Sequence, residues 1–209
     1  VRPPEGHPLQ PQHLRHAVEA GRLGRSPARG MDGTARIDAA VGGDVRKLDA
    51  VHAAFGATPN MFRAVANSPA ALKSMWSAFG ALGQGTIAPK LGEQIAVAVA
   101  DRNACEYCLA AHTALGRKAG ASPAEMQLAQ AGESADAKTQ AALRFALKLV
   151  NDRGQVDDAD LQSLRTVGFG DEEIVEILAH VALNLFTNYV NIAFAVPVDF
   201  PAVKLRSAA

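Results

Sequence analysis

The chain has 209 residues, which is enough for one domain of ordinary size together with a tail. It is 48% hydrophobic and 20% charged, the balance of a soluble globular protein. The formal net charge is zero, so charge gives no reason to expect a nucleic-acid partner or an anionic membrane partner.

Residues 1–30 differ in composition from the rest of the chain. They hold five of the eleven prolines, three of the six histidines and only two acids. We therefore expect residues 1–40 to be a disordered or loosely attached extension, with a basic targeting or docking arm as the alternative. Met31 follows directly and is a candidate for the natural start. Because no apolar secretory segment is present, the expected location is the cytoplasm.

Helical periodicity dominates from Asp44 onwards and predicts an all-α domain over residues 41–209. Serine, aspartate or proline stands where several of the helices should begin, and glycine stands after several of them. The predicted helices cover residues 44–55, 60–67, 69–82, 89–101, 104–119, 136–151, 157–167 and 171–195, with a capping box at Ser122 and Glu125 opening one more. We expect Trp76 and the methionines to lie in the core.

One segment before the cysteines allows two interpretations. Residues 95–100 read Ile-Ala-Val-Ala-Val-Ala, and this period-two alternation is typical of a buried strand. A strand that leads into a Cys-x2-Cys pair is the arrangement found in thioredoxins. The rest of the chain offers no partner strands, however, and Pro89 followed by Glu93 indicates a helix start. We therefore favour the helix.

The last predicted helix is apolar nearly all round, apart from one polar stripe. His180, Asn184, Asn188 and Asn191 recur at spacings that place them on one helical face, and their polarity argues against a lipid span. This stripe predicts a hydrogen-bonded seam between helices, with a pocket wall or a subunit contact as alternatives. The remaining apolar surface predicts a homo-oligomer, because a helix that is apolar nearly all round needs more cover than one chain provides.

The only two cysteines, Cys105 and Cys108, are followed by His112. Such a pair leaves three possibilities, namely a redox couple, half of a metal site or two buried thiols, and the spacing favours the first in a reducing compartment. On a helix all three side chains share one face, where a base one turn away can take a thiol proton. Glu93, on a preceding packed helix, can reach the histidine. We also expect the helix dipole to favour a thiolate at Cys105.

The segment from Glu93 to His112, with the spacing Glu-x11-Cys-x2-Cys-x3-His, resembles the core signature of the AhpD-like alkyl hydroperoxidases. These belong to the carboxymuconolactone decarboxylase-like superfamily. Residues 183–191 and 199–201 resemble a peroxidase-related branch, and the resemblance covers roughly residues 45–203. Founding members carry a histidine where this chain has Tyr107. Decarboxylation is not implied, because authentic carboxymuconolactone decarboxylases lack the cysteine pair.

The resemblance implies an all-α AhpD-like fold, a homo-oligomer built on trimers, and a thiol-dependent peroxidase of the alkyl hydroperoxide reductase type. It implies that Cys108 is the peroxidatic cysteine and Cys105 the resolving one, with Glu93 and His112 as a proton relay. The implied partners are a small-molecule hydroperoxide and an external dithiol reductant, which in the family is often a lipoyl group. No cofactor and no metal are implied.

Three alternatives remain open at this point. The same residues suit a general disulfide oxidoreductase. Cys105, Cys108, His112 and Glu93 together offer four ligands of the kinds that zinc binds. The third alternative is a non-catalytic helical interaction module in which the two thiols are buried and inert.

Overall fold

A computed structural model of the chain describes residues 45–206. The expectations for residues 1–40, including a start at Met31, lie outside the described residues. Within the described range the backbone forms α-helices and no strand, which confirms the all-α fold class. The helices are α1 (Val45–Phe55), α2 (Asn60–Val65), α3 (Pro69–Leu82), α4 (Pro89–Arg102), α5 (Glu106–Lys118), α6 (Pro123–Gln130), α7 (Ala137–Asn151), α8 (Asp158–Thr166) and α9 (Asp171–Ala193).

Helix α4 lies at the centre of the fold and packs against α5, α6, α7 and α9. Every residue from Gln94 to Ala100 is buried. The alternation of alanine with larger aliphatic residues therefore reflects a helix that is covered on all sides, with small side chains where neighbours approach closely. The strand alternative for residues 95–100 is wrong, and Pro89 occupies the first turn as a helix start requires.

Side-chain caps begin several of the helices at the predicted positions. Ser68 Oγ accepts a hydrogen bond from the Ala71 backbone N–H at 3.2 Å and begins α3. Ser122 and Glu125 form the predicted capping box at the start of α6. Such caps are each worth about 1 kcal/mol, because they satisfy backbone N–H groups that the helix itself leaves unpaired.

Aromatic side chains from α1, α2 and α3 form a cluster around the buried Phe62. Its ring lies 5.7 Å from Phe55, 5.7 Å from Trp76 and 5.9 Å from Phe79, between ring centroids. Tilted and edge-on pairs of this kind each add about 0.5–1.5 kcal/mol beyond burial alone. Met75 is fully buried as predicted, whereas Trp76 is half-buried at the edge of the core.

The segment that follows α9 returns across the fold and is tied to the start of α2. Asp199 Oδ2 accepts a hydrogen bond from the Asn60 backbone N–H at 2.7 Å, and Asn60 Nδ2 donates to the Pro197 carbonyl at 3.1 Å. Phe200 then packs edge-on against Tyr107, with 5.7 Å between ring centroids. This segment therefore covers the first turn of α5. No helix of residues 45–206 has the length and apolarity that crossing a membrane requires.

Candidate active site

A tight turn between α4 and α5 positions Cys105. Ala104 has a left-handed φ of 55°, the Cys105 N–H donates to the Ala100 carbonyl at 2.9 Å, and the Ala104 N–H donates to Asp101 at 3.0 Å. These two hydrogen bonds form a Schellman motif that ends α4 and turns the chain directly into α5. Helix α5 begins at Glu106, two residues later than predicted, and Cys105 is its N-cap residue.

The two sulfur atoms lie side by side in different surroundings. Both cysteines are buried, and neither forms a disulfide. Cys105 Sγ accepts a hydrogen bond from the Cys108 backbone N–H at 3.4 Å, whereas Cys108 Sγ accepts one from Asn191 Nδ2 at 3.1 Å. The carboxamide of Asn191 belongs to α9, so the start of α5 and the end of α9 meet at the Cys108 sulfur.

These surroundings separate the pKa values of the two thiols. The hydrogen bond from Cys105 lowers the pKa of Cys108, burial opposes this, and the charge of His112 and the amides of Asn191 and Asn188 lower it further, to about 6. The pKa of Cys105 is raised by its hydrogen bond to Cys108, by burial and by the Cys108 charge. The backbone N–H groups of Cys108 and Tyr107 at the start of α5 lower the pKa of Cys105, in the direction expected for a helix N-terminus, but the effects that raise it are larger.

Glu93 and His112 form an ion pair between α4 and α5. Their Oε2 and Nδ1 atoms are 2.8 Å apart, and both side chains are mostly buried. Burial lowers the pKa of His112, but the charge of Glu93, the hydrogen bond to it and the charge of Cys108 together raise it above its usual value. The protonated ring is thus favoured beside the Cys108 sulfur.

Cys108 and His112 line one small apolar cavity of about 40 Å³. Its other walls come from apolar side chains of several helices and of the segment after α9, among them Phe55, Met61, Phe62, Phe79, Tyr107, Leu115 and Phe200. Among the described contacts no hydrogen bond joins His112 directly to Cys108. A cavity of this volume holds at least one water-sized group, and a water or substrate oxygen placed there can carry a proton between the two side chains.

Tyr107 forms part of this wall at the position where founding family members have a histidine. The residue is buried, and its hydroxyl oxygen accepts a hydrogen bond from the Met61 backbone N–H at 3.2 Å. Burial raises the pKa of Tyr107 well above its usual range, and Asp199 adds to the effect. The phenol of Tyr107 therefore stays neutral, so this position supports the cavity wall and does not supply the acid–base group that a histidine would.

A second, larger cavity of about 440 Å³ reaches Cys105 instead of Cys108. It lies between the start of α5 and the end of α9, and its walls include Ala104, Asn191, Ile192 and Ala195. Ala195 has a left-handed φ of 47°, as Ala104 has one of 55°. Each cysteine thus lines a cavity of its own, one narrow and apolar, the other wide.

The polar stripe of α9 is only partly the predicted seam. Asn188 Oδ1 accepts a hydrogen bond from Asn103 Nδ2 at 2.8 Å, but Asn184 Nδ2 donates within its own helix, to the His180 carbonyl at 2.9 Å. His180 Nε2, Asn188 Nδ2 and Asn191 Oδ1 are buried without a hydrogen-bond partner among residues 45–206. The prediction of a fully satisfied seam is therefore wrong. The sequence pattern found these asparagines without indicating that Asn191 contacts the thiol.

Metal binding by the four candidate residues finds no support in the geometry. Within the part of the chain that the structure describes, no group of three or more His, Cys, Asp and Glu side chains is arranged to hold a metal ion. Glu93 and His112 pair with each other, and Cys108 is held by an amide. These contacts argue against the zinc alternative.

The sequence of this chain is similar to one described protein family. Residues 69–152 match the sequence model of the Carboxymuconolactone decarboxylase family, and this segment contains all four candidate residues. A search of curated proteins found no match. The predicted superfamily resemblance is confirmed by this match together with the solved structures described next.

Several solved structures share the fold. A peroxidase-related protein from Silicibacter sp. TM1040 is 27% identical, over 73% of this chain and 83% of that one, with a TM-score of 0.67. An alkylhydroperoxidase AhpD core protein from Ralstonia eutropha JMP134 is 24% identical, over 85% and 94%, with a TM-score of 0.69. The debrominase Bmp8, in complex with 2,3,4-tribromopyrrole, is 19% identical, over 74% and 84%, with a TM-score of 0.64.

Proposed function

We propose that this chain, a protein with the AhpD-like fold of the carboxymuconolactone decarboxylase-like superfamily, is a thiol-dependent peroxidase. The observation that carries the proposal is the state of Cys108. Its sulfur is hydrogen-bonded by Asn191, has a lowered pKa, and lines an apolar cavity shared with His112. A buried thiolate beside a protonated imidazole is the arrangement that a peroxide-reducing cysteine needs.

In the first step the Cys108 thiolate attacks the terminal oxygen of a hydroperoxide ROOH. The sulfur–oxygen bond forms as the oxygen–oxygen bond breaks, so the sulfur is oxidised and the peroxide is reduced. The leaving RO⁻ takes a proton from His112 and departs as an alcohol, which leaves a sulfenic acid on Cys108. Glu93 stabilises the positive charge of His112 before this transfer and orients the ring.

In the second step Cys105 resolves the sulfenic acid. Its sulfur attacks the Cys108 sulfur, the disulfide forms, and the hydroxyl leaves with the Cys105 proton as water. The negative charge of Cys108 is one of the causes that raise the pKa of Cys105. Because the sulfenic acid is neutral, that cause disappears once Cys108 is oxidised, and Cys105 then ionises more readily. An external dithiol, entering by the wider cavity, reduces the disulfide by exchange.

The experiment that tests this function compares two cysteine variants with an alkyl hydroperoxide such as cumene hydroperoxide. Cys108→Ser is expected to consume no peroxide. Cys105→Ser is expected to react once and to keep a sulfenic acid that dimedone traps on Cys108. Turnover of the unaltered protein is then followed with dihydrolipoamide and, separately, with a thioredoxin system as the reductant.

Two outcomes would contradict the proposal. A sulfenic acid trapped on Cys105 in the Cys108→Ser protein would reverse the roles of the two cysteines. Absence of a sulfenic acid from both variants, together with dithiol–disulfide exchange on other substrates, would favour the general disulfide oxidoreductase.

A second candidate function is reductive dehalogenation of an aromatic compound, because the cavity at Cys108 is lined by aromatic rings. The thiolate would take the halogen from the ring as a sulfenyl halide, and the ring carbanion would take a proton from His112. Cys105 would then displace halide to form the disulfide, with its thiol proton passing to the neutral His112. The debrominase noted above shares the fold with this chain at 19% identity. Release of one bromide per disulfide formed from a bromopyrrole would favour this candidate; no release would exclude that substrate.

A further inference from the structure

We propose that Asn191 is a catalytic residue whose side-chain amide holds the Cys108 sulfur as a thiolate, and that Asn188 supplies a second N–H to the same sulfur. The two asparagines are called the amide cradle below. The proposal rests on the thiol chemistry proposed above and assigns part of it to α9. Asn191 Nδ2 lies 3.1 Å from Cys108 Sγ, and both residues are almost completely buried.

The orientation of Asn188 is fixed by a neighbour outside α9. Asn103 Nδ2 donates to Asn188 Oδ1 at 2.8 Å, so the oxygen end of the Asn188 amide is occupied and the NH₂ end is free. Asn188 has no exposed surface, and its Nδ2 donates to no acceptor among the described residues. A buried donor of this kind is rare in folded proteins and calls for an acceptor. The nearby sulfur, once ionised, is that acceptor, consistent with the contribution of Asn188 to the lowered pKa of Cys108.

Asn191 differs from an asparagine that serves only to join helices. Its Nδ2 donates to the sulfur, while its Oδ1 is buried and has no partner in residues 45–206. If this position served only for packing, an apolar residue of similar shape would be more stable than asparagine, because an unpartnered buried carbonyl is unfavourable. Contact with the sulfur is therefore the one described interaction that explains an amide at this position.

The cradle also bears on the redox balance of the cysteine pair. A hydrogen bond to a charged sulfur is stronger than one to a neutral sulfur, and the disulfide carries no charge. The amide cradle thus stabilises the reduced protein more than the oxidised one, which raises the reduction potential of the pair. A disulfide with a higher potential is reduced more readily by an external dithiol.

The test titrates Cys108 in the full chain, with Cys105→Ser as the common background so that one thiol ionises. The ultraviolet absorbance of the thiolate and the rate of iodoacetamide alkylation are measured against pH. Asn191→Leu keeps the branched shape and the number of side-chain heavy atoms and removes the N–H donor. We expect it to raise the titration midpoint by about one pH unit or more, as expected for loss of a hydrogen bond to a charged group.

Gln94→Met is the matched control, because Gln94 is an equally buried amide whose cavity contains neither cysteine, nor Glu93, nor His112. It is expected to leave the midpoint unchanged. An unshifted midpoint in Asn191→Leu, or an equal shift in Gln94→Met, would overturn the proposal. If Asn191→Leu does not fold, Asn191→Ala removes the same donor without adding bulk, and an unshifted midpoint there overturns the proposal. Asn103→Ala tests Asn188 separately, since Asn103 is only half-buried and holds its amide. A smaller upward shift is expected, and an unchanged midpoint would remove Asn188 from the cradle.

This experiment separates the amide cradle from the peroxidase function. The titration needs no peroxide and no external reductant. A shifted midpoint in a protein that consumes no peroxide would support the cradle and contradict the proposed function. Peroxide turnover in the unaltered protein, together with an unshifted midpoint in Asn191→Leu, would support the proposed function and contradict the amide cradle. The reduction potential of Asn191→Leu with both cysteines present is expected to be lower than that of the unaltered protein.

Discussion

At the residue scale, the reactivity of Cys108 depends on charges and donors supplied by its own helix and by two others. His112 on α5 contributes positive charge, Glu93 on α4 keeps that charge in place, and Asn191 on α9 donates to the sulfur. The attraction between Cys108 and His112 acts in both directions, lowering the pKa of the thiol and raising that of the imidazole. Both shifts favour the thiolate of Cys108 and the imidazolium of His112, which are the nucleophile and the general acid of the proposed reaction.

The first prediction concerns Glu93→Gln and His112→Ala. Both are expected to lower peroxide turnover at least about tenfold, since general acid–base help contributes about 10²–10⁴-fold. Alkylation of the unaltered Cys108 should rise with pH through about 6, because the thiolate forms as pH passes its pKa. His112→Ala removes the positive charge that lowers the pKa of Cys108, and Glu93→Gln removes the carboxylate that favours this charge on His112. Alkylation of Cys108 should therefore begin at a higher pH in both variants. Stopped-flow turnover and alkylation profiles measure the two effects.

Melting temperatures of the same preparations control for loss of structure. Asp171→Asn is a suitable comparison, because it removes an exposed ion pair with Arg165 whose atoms are also 2.8 Å apart. It is expected to change neither turnover nor alkylation. If the Glu93 and His112 variants melted earlier but were alkylated as the unaltered protein is, the pair would be structural and the relay would be excluded.

The Glu93–His112 contact was predictable from sequence, whereas the role of Asn191 was not. Glu93 and His112 lie on consecutive helices joined by a short turn, so their spacing along the chain limits where they can be in space. Asn191 is 83 residues from Cys108 and reaches it only because α9 crosses the start of α5. Periodicity placed Asn191 on a polar stripe but carries no information about which helix that stripe faces.

At the element scale, the helix starts marked by serine, aspartate or proline were predicted to within one residue, whereas the start of α5 and the end of α9 were each missed by two. Serine, aspartate and proline mark the starts because their side chains cap or fit the first turn. The ends of α4 and α9 instead carry Ala104 and Ala195 in left-handed conformations, where the usual signal is glycine. Without that signal, α5 was expected to begin two residues too early and α9 to end two residues too late.

The second prediction concerns the left-handed position at Ala104. A left-handed φ is unfavourable for alanine by about 1 kcal/mol, whereas glycine adopts it freely. Ala104→Gly relieves this strain but gains flexibility in the unfolded chain, worth about 0.4–1 kcal/mol in the opposite direction. We therefore expect little net change in the free energy of unfolding. Ala104→Val should destabilise the protein by more than about 1 kcal/mol, because a β-branched side chain tolerates this φ poorly. Urea unfolding measures both.

Gly120 provides the reverse control for this prediction. It ends α5 with a φ of 92°, and an added Cβ would meet no atom within 4 Å. Gly120→Ala thus isolates backbone strain from steric contact and is expected to destabilise the protein by about 1 kcal/mol. If Ala104→Val were as stable as the unaltered protein, the turn would not impose the left-handed conformation, and the position of Cys105 would need another explanation.

At the scale of the whole molecule, α9 presents an apolar stripe that the described part of the chain does not cover. The exposed side chains recur at helical spacing along one face, and Val175 and Tyr189 keep 66% and 60% of their surface accessible. The other members of this α9 stripe are Leu178, Phe186 and Ile192. A continuous apolar surface of this length on a helix indicates a protein interface.

We propose that the α9 stripe is covered by further copies of the chain, in a homo-oligomer built on trimers. Ile192 belongs to the stripe and also lines the wider cavity at Cys105. Assembly through this face would therefore narrow the route by which an external dithiol reaches the cysteine pair. Dissociation of the oligomer should then speed the reduction of the disulfide by an external dithiol. The reaction of Cys108 with peroxide uses the other cavity, so its rate should not change.

The third prediction tests this arrangement with Leu178→Glu and Tyr189→Glu combined. Both residues are exposed, so the folded monomer should tolerate the change, whereas charges buried in an apolar interface are strongly unfavourable. Light scattering at micromolar concentration is expected to show trimers or multiples of them for the unaltered protein and monomers for the variant. Glu172→Lys changes an exposed charge on the same helix outside the stripe and should keep the oligomer. An unaltered protein that is monomeric under these conditions would exclude self-association through α9, and the stripe would then have to bind a different protein.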